Sequence, residues 1–80
     1  MTPVESIYEI KSAVIDLQKY LCSKDKVVSK RAQIKYVQSV DRFFRENKRF
    51  IKPEQRFSCL HDPVCFLNLM ESAVEYYDLN

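Results

Sequence analysis

The 80-residue sequence has no glycine, no tryptophan and only one histidine. Phosphate-binding loops, dinucleotide-binding turns and two-residue hairpins depend on glycine, because their backbone takes positive φ or approaches a ligand closely. We therefore do not expect a nucleotide-dependent enzyme. The histidine, His61, adjoins Asp62 and lies two residues from Cys59, but no pattern marks an oxyanion site beside them. The sequence predicts no enzymatic activity and no cofactor.

Long apolar runs and targeting signals are missing as well. No segment of about 18 apolar residues is present, so we expect no membrane span and no membrane partner. The first residues, Met-Thr-Pro-Val-Glu-Ser, have neither a basic start nor an apolar core, which predicts no secretory signal. The cysteines are three, an odd number, which is typical of reduced thiols in a cytosolic or nuclear protein. The predicted location is the cytoplasm, with the nucleus as the alternative.

The sequence is nevertheless rich enough in apolar residues to fold. These residues make up 46% of the chain and include five phenylalanines and five tyrosines, too many for a disordered segment. They recur at spacings of three and four, which indicates helices, and strand signals are weak. We therefore expect residues 1–80 to form a single all-α domain, a compact bundle of three main helices plus one short connecting helix.

Capping residues locate the first two helices. Thr2 and Glu5 form a capping box before a first helix that runs from residue 3 to about 21. After a loop, Ser29 is the predicted N-cap of a second helix that runs from residue 30 to about 49. The side of this second helix that is expected to face the core carries Tyr36, Val37, Val40, Phe43, Phe44 and Phe50.

Two prolines locate the remaining helices. Pro53 ends the second helix, because the residue before a proline avoids the α region, and it can begin a short helix over residues 53–60. Asp62 and Pro63 repeat the start signal and predict a third long helix over residues 63 to about 77.

The charges are distributed unevenly along the chain. Twelve of the thirteen Lys and Arg residues lie between Lys19 and Arg56, where four acids leave a net charge of +8. Residues 1–18 carry a net charge of −2, and residues 57–80, which have no base, carry −4. A strongly basic middle between two acidic ends predicts a surface that binds a polyanion.

The second predicted helix gathers bases on the side opposite its apolar residues, in a stripe about 80° wide. Guanidinium groups suit phosphates, because they stay charged and donate two parallel hydrogen bonds. Charge reversal at Arg42 or Arg45 is expected to weaken binding without unfolding the bundle. The predicted nucleic-acid-binding residues are Arg31, Lys35, Gln38, Arg42, Arg45, Arg49 and Lys52.

Two interpretations of this stripe compete. One is a plain solvated helix face, the usual fate of charges opposite a core. The other is a face that holds structured RNA such as ribosomal RNA. DNA is less favoured, because the stripe lacks an obvious set of side chains that read bases, whereas a phosphate reader guided by shape fits folded RNA.

A zinc site is a weaker candidate. Thiolates and imidazole suit tetrahedral zinc, and four such residues are present: Cys22, Cys59, His61 and Cys65. However, the C-x-H-x3-C spacing with a distant cysteine matches no common zinc pattern, and buried free thiols account for the cysteines. The sequence therefore predicts no metal.

The third long helix is acidic and aromatic. Glu71, Glu75 and Asp78 share one of its faces, with Tyr76 and Leu79 nearby. This face suits a solvated surface, a contact for a basic protein, or a contact with the basic second helix of the same chain.

The leading function hypothesis is a small, non-enzymatic RNA-associated factor bound to the ribosome or to ribosomal RNA. The alternative is a protein–protein adaptor, or a small subunit of a larger assembly, that uses this third helix.

Overall fold

In the computed structural model, which describes residues 2–79, the chain forms four α-helices. These are α1 (Pro3–Leu21), α2 (Lys26–Glu46), α3 (Gln55–His61) and α4 (Pro63–Leu79). No strand occurs within residues 2–79. The prediction of an all-α bundle with three main helices and one short connecting helix is confirmed. None of these helices has the length and apolarity that a bilayer span requires.

The start of α1 follows the sequence prediction, whereas the start of α2 does not. Thr2 Oγ1 accepts a hydrogen bond from the Glu5 amide at 3.1 Å. Helix α2 begins at Lys26, four residues before the predicted start, because Asp25 rather than Ser29 is its N-cap. The Asp25 carboxylate accepts from the amides of Val27 and Val28, two donors that the first turn would otherwise leave unpaired.

The predicted cap residue Ser29 has another role. It lies inside α2, where its hydroxyl donates to the carbonyl of Leu21 at 3.1 Å. Leu21 ends α1, so this bond satisfies a carbonyl that has no partner within its own helix. Ser29 therefore joins the end of α1 to the first turn of α2 and keeps the connection short.

The end of α2 also differs from the prediction. The helix stops at Glu46, not near Arg49, because the next residue, Asn47, turns inward. Its amide and its side-chain nitrogen both donate to the carbonyl of Phe43, and its side-chain oxygen accepts from the Tyr77 hydroxyl at 2.8 Å. Asn47 is only 3% exposed, so this buried amide links the C-terminus of α2 to α4.

The two later helices match the prediction within a few residues. Helix α3 spans 55–61 instead of 53–60, since Pro53 lies in the turn before it rather than in its first turn. The Asp62 carboxylate accepts from the Val64 amide at 3.0 Å, as expected for an N-cap. Helix α4 continues two residues past its predicted end at Tyr77.

The helices pack around one aromatic and aliphatic core. Helices α1 and α2 run antiparallel, since residue 6 meets residue 46 and residue 21 meets residue 29. Phe43 of α2 and Phe66 of α4 meet edge to face at 5.5 Å between ring centroids, and both are fully buried. Ile7 of α1 and Met70 of α4 are also fully buried, so α1, α2 and α4 share this core.

Helix α3 closes the core from the side. Its Cys59 is fully buried, and the Tyr36 hydroxyl of α2 donates to the Cys59 carbonyl. Burial raises the pKa of Tyr36, so the hydroxyl keeps its proton for this bond.

One residue predicted to face the core, Val37, lies outside it. Val37 is 39% exposed, whereas its neighbours Tyr36 and Val40 are 4% and 0% exposed. Successive helical residues are about 100° apart, so the core covers a narrower arc of α2 than the sequence indicated. Ala32, which the prediction left out, completes the buried side.

Candidate nucleic-acid interface

Six of the seven predicted binding residues are exposed. Four lie on α2, and the other two lie in the segment that follows it: Arg31, Lys35, Gln38, Arg45, Arg49 and Lys52. The stripe therefore continues past the end of α2, although Arg49 and Lys52 are not held in helical register with it. This exposure leaves all six side chains accessible to a ligand.

The seventh residue, Arg42, lies in a different environment. It is only partly exposed, and its guanidinium bonds to Glu9 of α1 at 2.8 Å and to Glu46 of its own helix at 3.2 Å. A third contact reaches the Ser6 hydroxyl at 3.3 Å. The hydrogen bonds that it donates to Glu9 and Glu46 raise the pKa of Arg42. The guanidinium thus joins α1 to α2.

Glu46 is the second member of this network. Its carboxylate accepts a hydrogen bond from the Ser6 hydroxyl at 2.5 Å, and this bond is the main cause that lowers the pKa of Glu46. Charge reversal at Arg42 would therefore remove contacts between α1 and α2 as well as a predicted binding residue, whereas Arg45 has no such pairs among residues 2–79. An acid at position 42 would face Glu9 and Glu46 and would repel both.

The basic surface has two parts, separated by Arg42, whose charge is paired with Glu9 and Glu46. Between residues 24 and 52, nine bases are exposed and form no ion pair with any residue from 2 to 79: Lys24, Lys26, Lys30, Arg31, Lys35, Arg45, Lys48, Arg49 and Lys52. The first five lie at the N-terminal half of α2 or just before it, and the last four lie at its C-terminal end or just after it. We call these groups the N-terminal and the C-terminal basic patch.

The N-terminal basic patch borders a shallow groove between α1 and α2. One hollow of about 320 Å³ is lined by Leu17 and Tyr20 of α1 and by Arg31 and Lys35 of α2, among others. A second hollow of about 500 Å³ shares Leu17, Tyr20 and Lys35 and extends to Arg42. The groove thus combines apolar and aromatic surface with two cationic side chains.

The C-terminal basic patch borders a separate hollow of about 460 Å³ between α2 and the turn before α3. Phe44, Ile51 and Pro53 form its apolar lining, and Arg45 and Lys48 are the basic residues of the patch that reach it. A further base at its edge, Arg56, is paired with Asp41 at 2.8 Å.

The acidic face of α4 turns toward α1 and not toward α2. Glu71 pairs with Lys11 of α1 at 3.2 Å. Tyr8, Lys11, Glu71 and Glu75 line a small hollow between the two helices. Within residues 2–79, no ion pair joins this face to the basic second helix, although such a contact was one of the three predicted roles of the face.

The structure does not assemble the four zinc candidates. No group of three or more metal-ligating side chains converges within residues 2–79. Cys59 is fully buried, and burial, together with the nearby Cys65, raises the pKa of its thiol to about 12. Cys22 is exposed at the end of α1, and the ring of His61 lies against Phe57, with centroids 4.5 Å apart.

Sequence reasoning missed the groove. It expected a longer loop between the first two helices and assigned no role in RNA binding to Tyr20. A connection of four residues, 22–25, turns α2 back along α1 and places Tyr20 beside Arg31 and Lys35. The arrangement can bind anions and planar groups, since it offers cations, a phenol ring and apolar surface together.

Comparisons with protein-family models, with curated proteins and with solved structures give no match to this chain.

Proposed function

We propose that this chain is a small RNA-associated protein that holds structured RNA, such as ribosomal RNA, through its two basic patches. The observation that carries the proposal is the set of nine exposed bases between Lys24 and Lys52 that form no ion pair with residues 2–79. Protein surfaces usually mix charges of both signs, whereas the segment from Lys24 to Lys52 has far more bases than acids. Such a surface favours a polyanion.

The dimensions of the surface suit a nucleic acid backbone. Helix α2 has 21 residues, so it is about 31 Å long at the helical rise of about 1.5 Å per residue. The patches lie toward its two ends, with Arg42 between them. A folded RNA could therefore meet the patches with phosphates that are distant in its sequence and close in space.

The direct test measures the binding of a ribosomal RNA fragment at several salt concentrations. Each phosphate contact contributes about 0.7–0.9 to the slope of log affinity against log salt. Removing two contacts with Arg45→Glu and Arg49→Glu should reduce the slope by about 1.4–1.8. Binding that does not change with salt would refute the proposal.

A matched control separates the basic patches from net charge. The double variant Arg45→Glu/Arg49→Glu lowers the net charge by four, so its control would need four acids added at other sites. A simpler pair is Arg45→Glu, which changes the charge by two, and Ser12→Glu/Ser72→Glu, which makes the same change at exposed positions on α1 and α4. The proposal requires that only Arg45→Glu weakens binding substantially.

The adaptor hypothesis remains the second candidate, and a specific observation favours it. On α4, Tyr76 is 43% exposed and Leu79 is 86% exposed. Each directly follows an acid in the sequence, Glu75 and Asp78 respectively. Apolar side chains beside acids suit a basic protein partner. Affinity purification with and without nuclease distinguishes the two functions, because a protein partner of α4 would stay bound after the RNA is digested.

A further inference from the structure

Tyr20 gives the groove between α1 and α2 a feature that phosphate binding alone does not need. Tyr20 is 45% exposed and lines both hollows of the groove, together with Leu17 and Lys35. Lys19 Nζ lies 5.0 Å from the centroid of the Tyr20 ring. An exposed aromatic ring among cations is the combination that proteins use to hold unpaired nucleotides.

We propose that this groove binds an unpaired, single-stranded segment of RNA, with a base stacked on Tyr20 and the neighbouring phosphates on Arg31 and Lys35. The inference rests on the proposed RNA-binding function and names the part of the RNA that this site takes. Tyr20 lies on the α1 wall of the groove, and the two cations lie on the α2 wall.

The charges of the two walls orient the strand. Asp16 lies on the α1 wall and repels phosphate, whereas Arg31 and Lys35 on the opposite wall attract it. The backbone therefore runs along α2, and the bases point toward α1. Leu17 and Val28 offer apolar surface beneath the bases.

The groove runs from the turn between the helices, residues 22–25, to the ion pair between Arg42 and Glu9, which crosses from α2 to α1 at 2.8 Å. Lys24 and Lys26 lie in or next to this turn, and both are exposed. A strand in the groove can therefore extend from these two lysines toward Arg42.

Duplex RNA would not use the site in this way. Paired bases are stacked on their neighbours and cannot reach a tyrosine ring at the side of a groove. The basic patches still contact the phosphates of a duplex, because that contact needs only charge. The inference thus predicts that Tyr20 matters for single strands and not for duplexes.

The experiment measures the affinity of the full chain for a ten-nucleotide single-stranded RNA and for the same sequence as a duplex, at constant salt. Tyr20→Ala should weaken single-strand binding about 5- to 150-fold, the range for the loss of one stacked base, and leave duplex binding within about twofold. Tyr20→Phe should bind single strands like the original chain, because it keeps the ring. Circular dichroism of each variant reports whether the helices are intact.

Tyr8→Ala is the matched control, because Tyr8 is a tyrosine of the same helix, 53% exposed, and lies beside α4 instead of the groove. An equal effect of Tyr8→Ala and Tyr20→Ala on single strands would overturn the inference. So would an equal effect of Tyr20→Ala on single strand and duplex. In both cases RNA binding itself remains, whereas the absence of salt-dependent binding to either RNA would overturn the proposed function as well.

Discussion

Phe66 offers the sharpest test of the packing that holds both walls of the groove in place. Its side chain is fully buried, and the rings of Tyr36 and Phe43 lie edge to face against it at 5.8 and 5.5 Å between centroids. The Phe66→Ala variant removes the ring that α4 inserts against α2. The same change at Phe57, which is 70% exposed, removes a ring of equal size from the surface.

The expected cost of Phe66→Ala is large relative to the stability of so small a protein. Replacing a buried phenylalanine by alanine lowers the free energy of unfolding by about 3–5 kcal/mol, because apolar burial is lost and a cavity remains. An 80-residue chain has a total free energy of unfolding of about 4–12 kcal/mol, at roughly 0.05–0.15 kcal/mol per residue. The variant should therefore lose between about a quarter and all of its stability, whereas Phe57→Ala should change it by less than about 0.5 kcal/mol.

Urea unfolding followed by circular dichroism measures both values. With a slope of about 1–1.5 kcal/mol per molar urea, Phe66→Ala should lower the midpoint by about 2–5 M. If this variant is unfolded without urea, Phe66→Leu, which leaves a smaller cavity, should still show a cost of about 1–2 kcal/mol. Equal midpoints for the changes at positions 66 and 57 would refute the packing described for α4.

Three further predictions concern the cap of α2, the Glu46 network and the thiols. Asp25→Ala should lower the free energy of unfolding by about 1 kcal/mol in the same urea assay, because two amides lose their acceptor. Because the pKa of Glu46 is lowered in the folded protein, its carboxylate stabilises the fold above pH 4.5, its ordinary pKa, and this stabilisation is lost as the pH falls through the lower pKa of the folded state. Glu46→Gln should therefore flatten the acid side of a curve of stability against pH. At pH 8 a thiol reagent should label the exposed Cys22 far faster than the buried Cys59, whose pKa of about 12 leaves almost no thiolate.

Each of these predictions has an outcome that contradicts it. Unchanged stability in Asp25→Ala would mean that α2 does not begin at this cap. Identical pH curves for Glu46→Gln and the original chain would remove Glu46 from the network with Ser6 and Arg42. Equal labelling rates for the two cysteines in the folded protein would show that Cys59 is accessible.

The sequence predicted most of the helices because their signals are local. Spacings of three and four residues, the Thr2 cap and the prolines identify α1, α3 and α4 within a few residues. The start of α2 could have been found too, since Asp25 is as good a cap as Ser29. Its end could not, because Asn47 stops the helix by bonding to Tyr77, which is 30 residues away.

The sequence by itself determined the helical class, the apolar faces and the separation of a basic middle from two acidic ends, because these depend on residue order and helical periodicity alone. The tertiary structure decided which charges stay exposed. Arg42 pairs with Glu9 across the α1–α2 contact, and Tyr20 and Lys35 line the same groove, although more than ten residues separate the members of each pair. Charge pairing acts over a few ångströms in space, so only the packing of α1 on α2 could divide one predicted stripe into two basic patches.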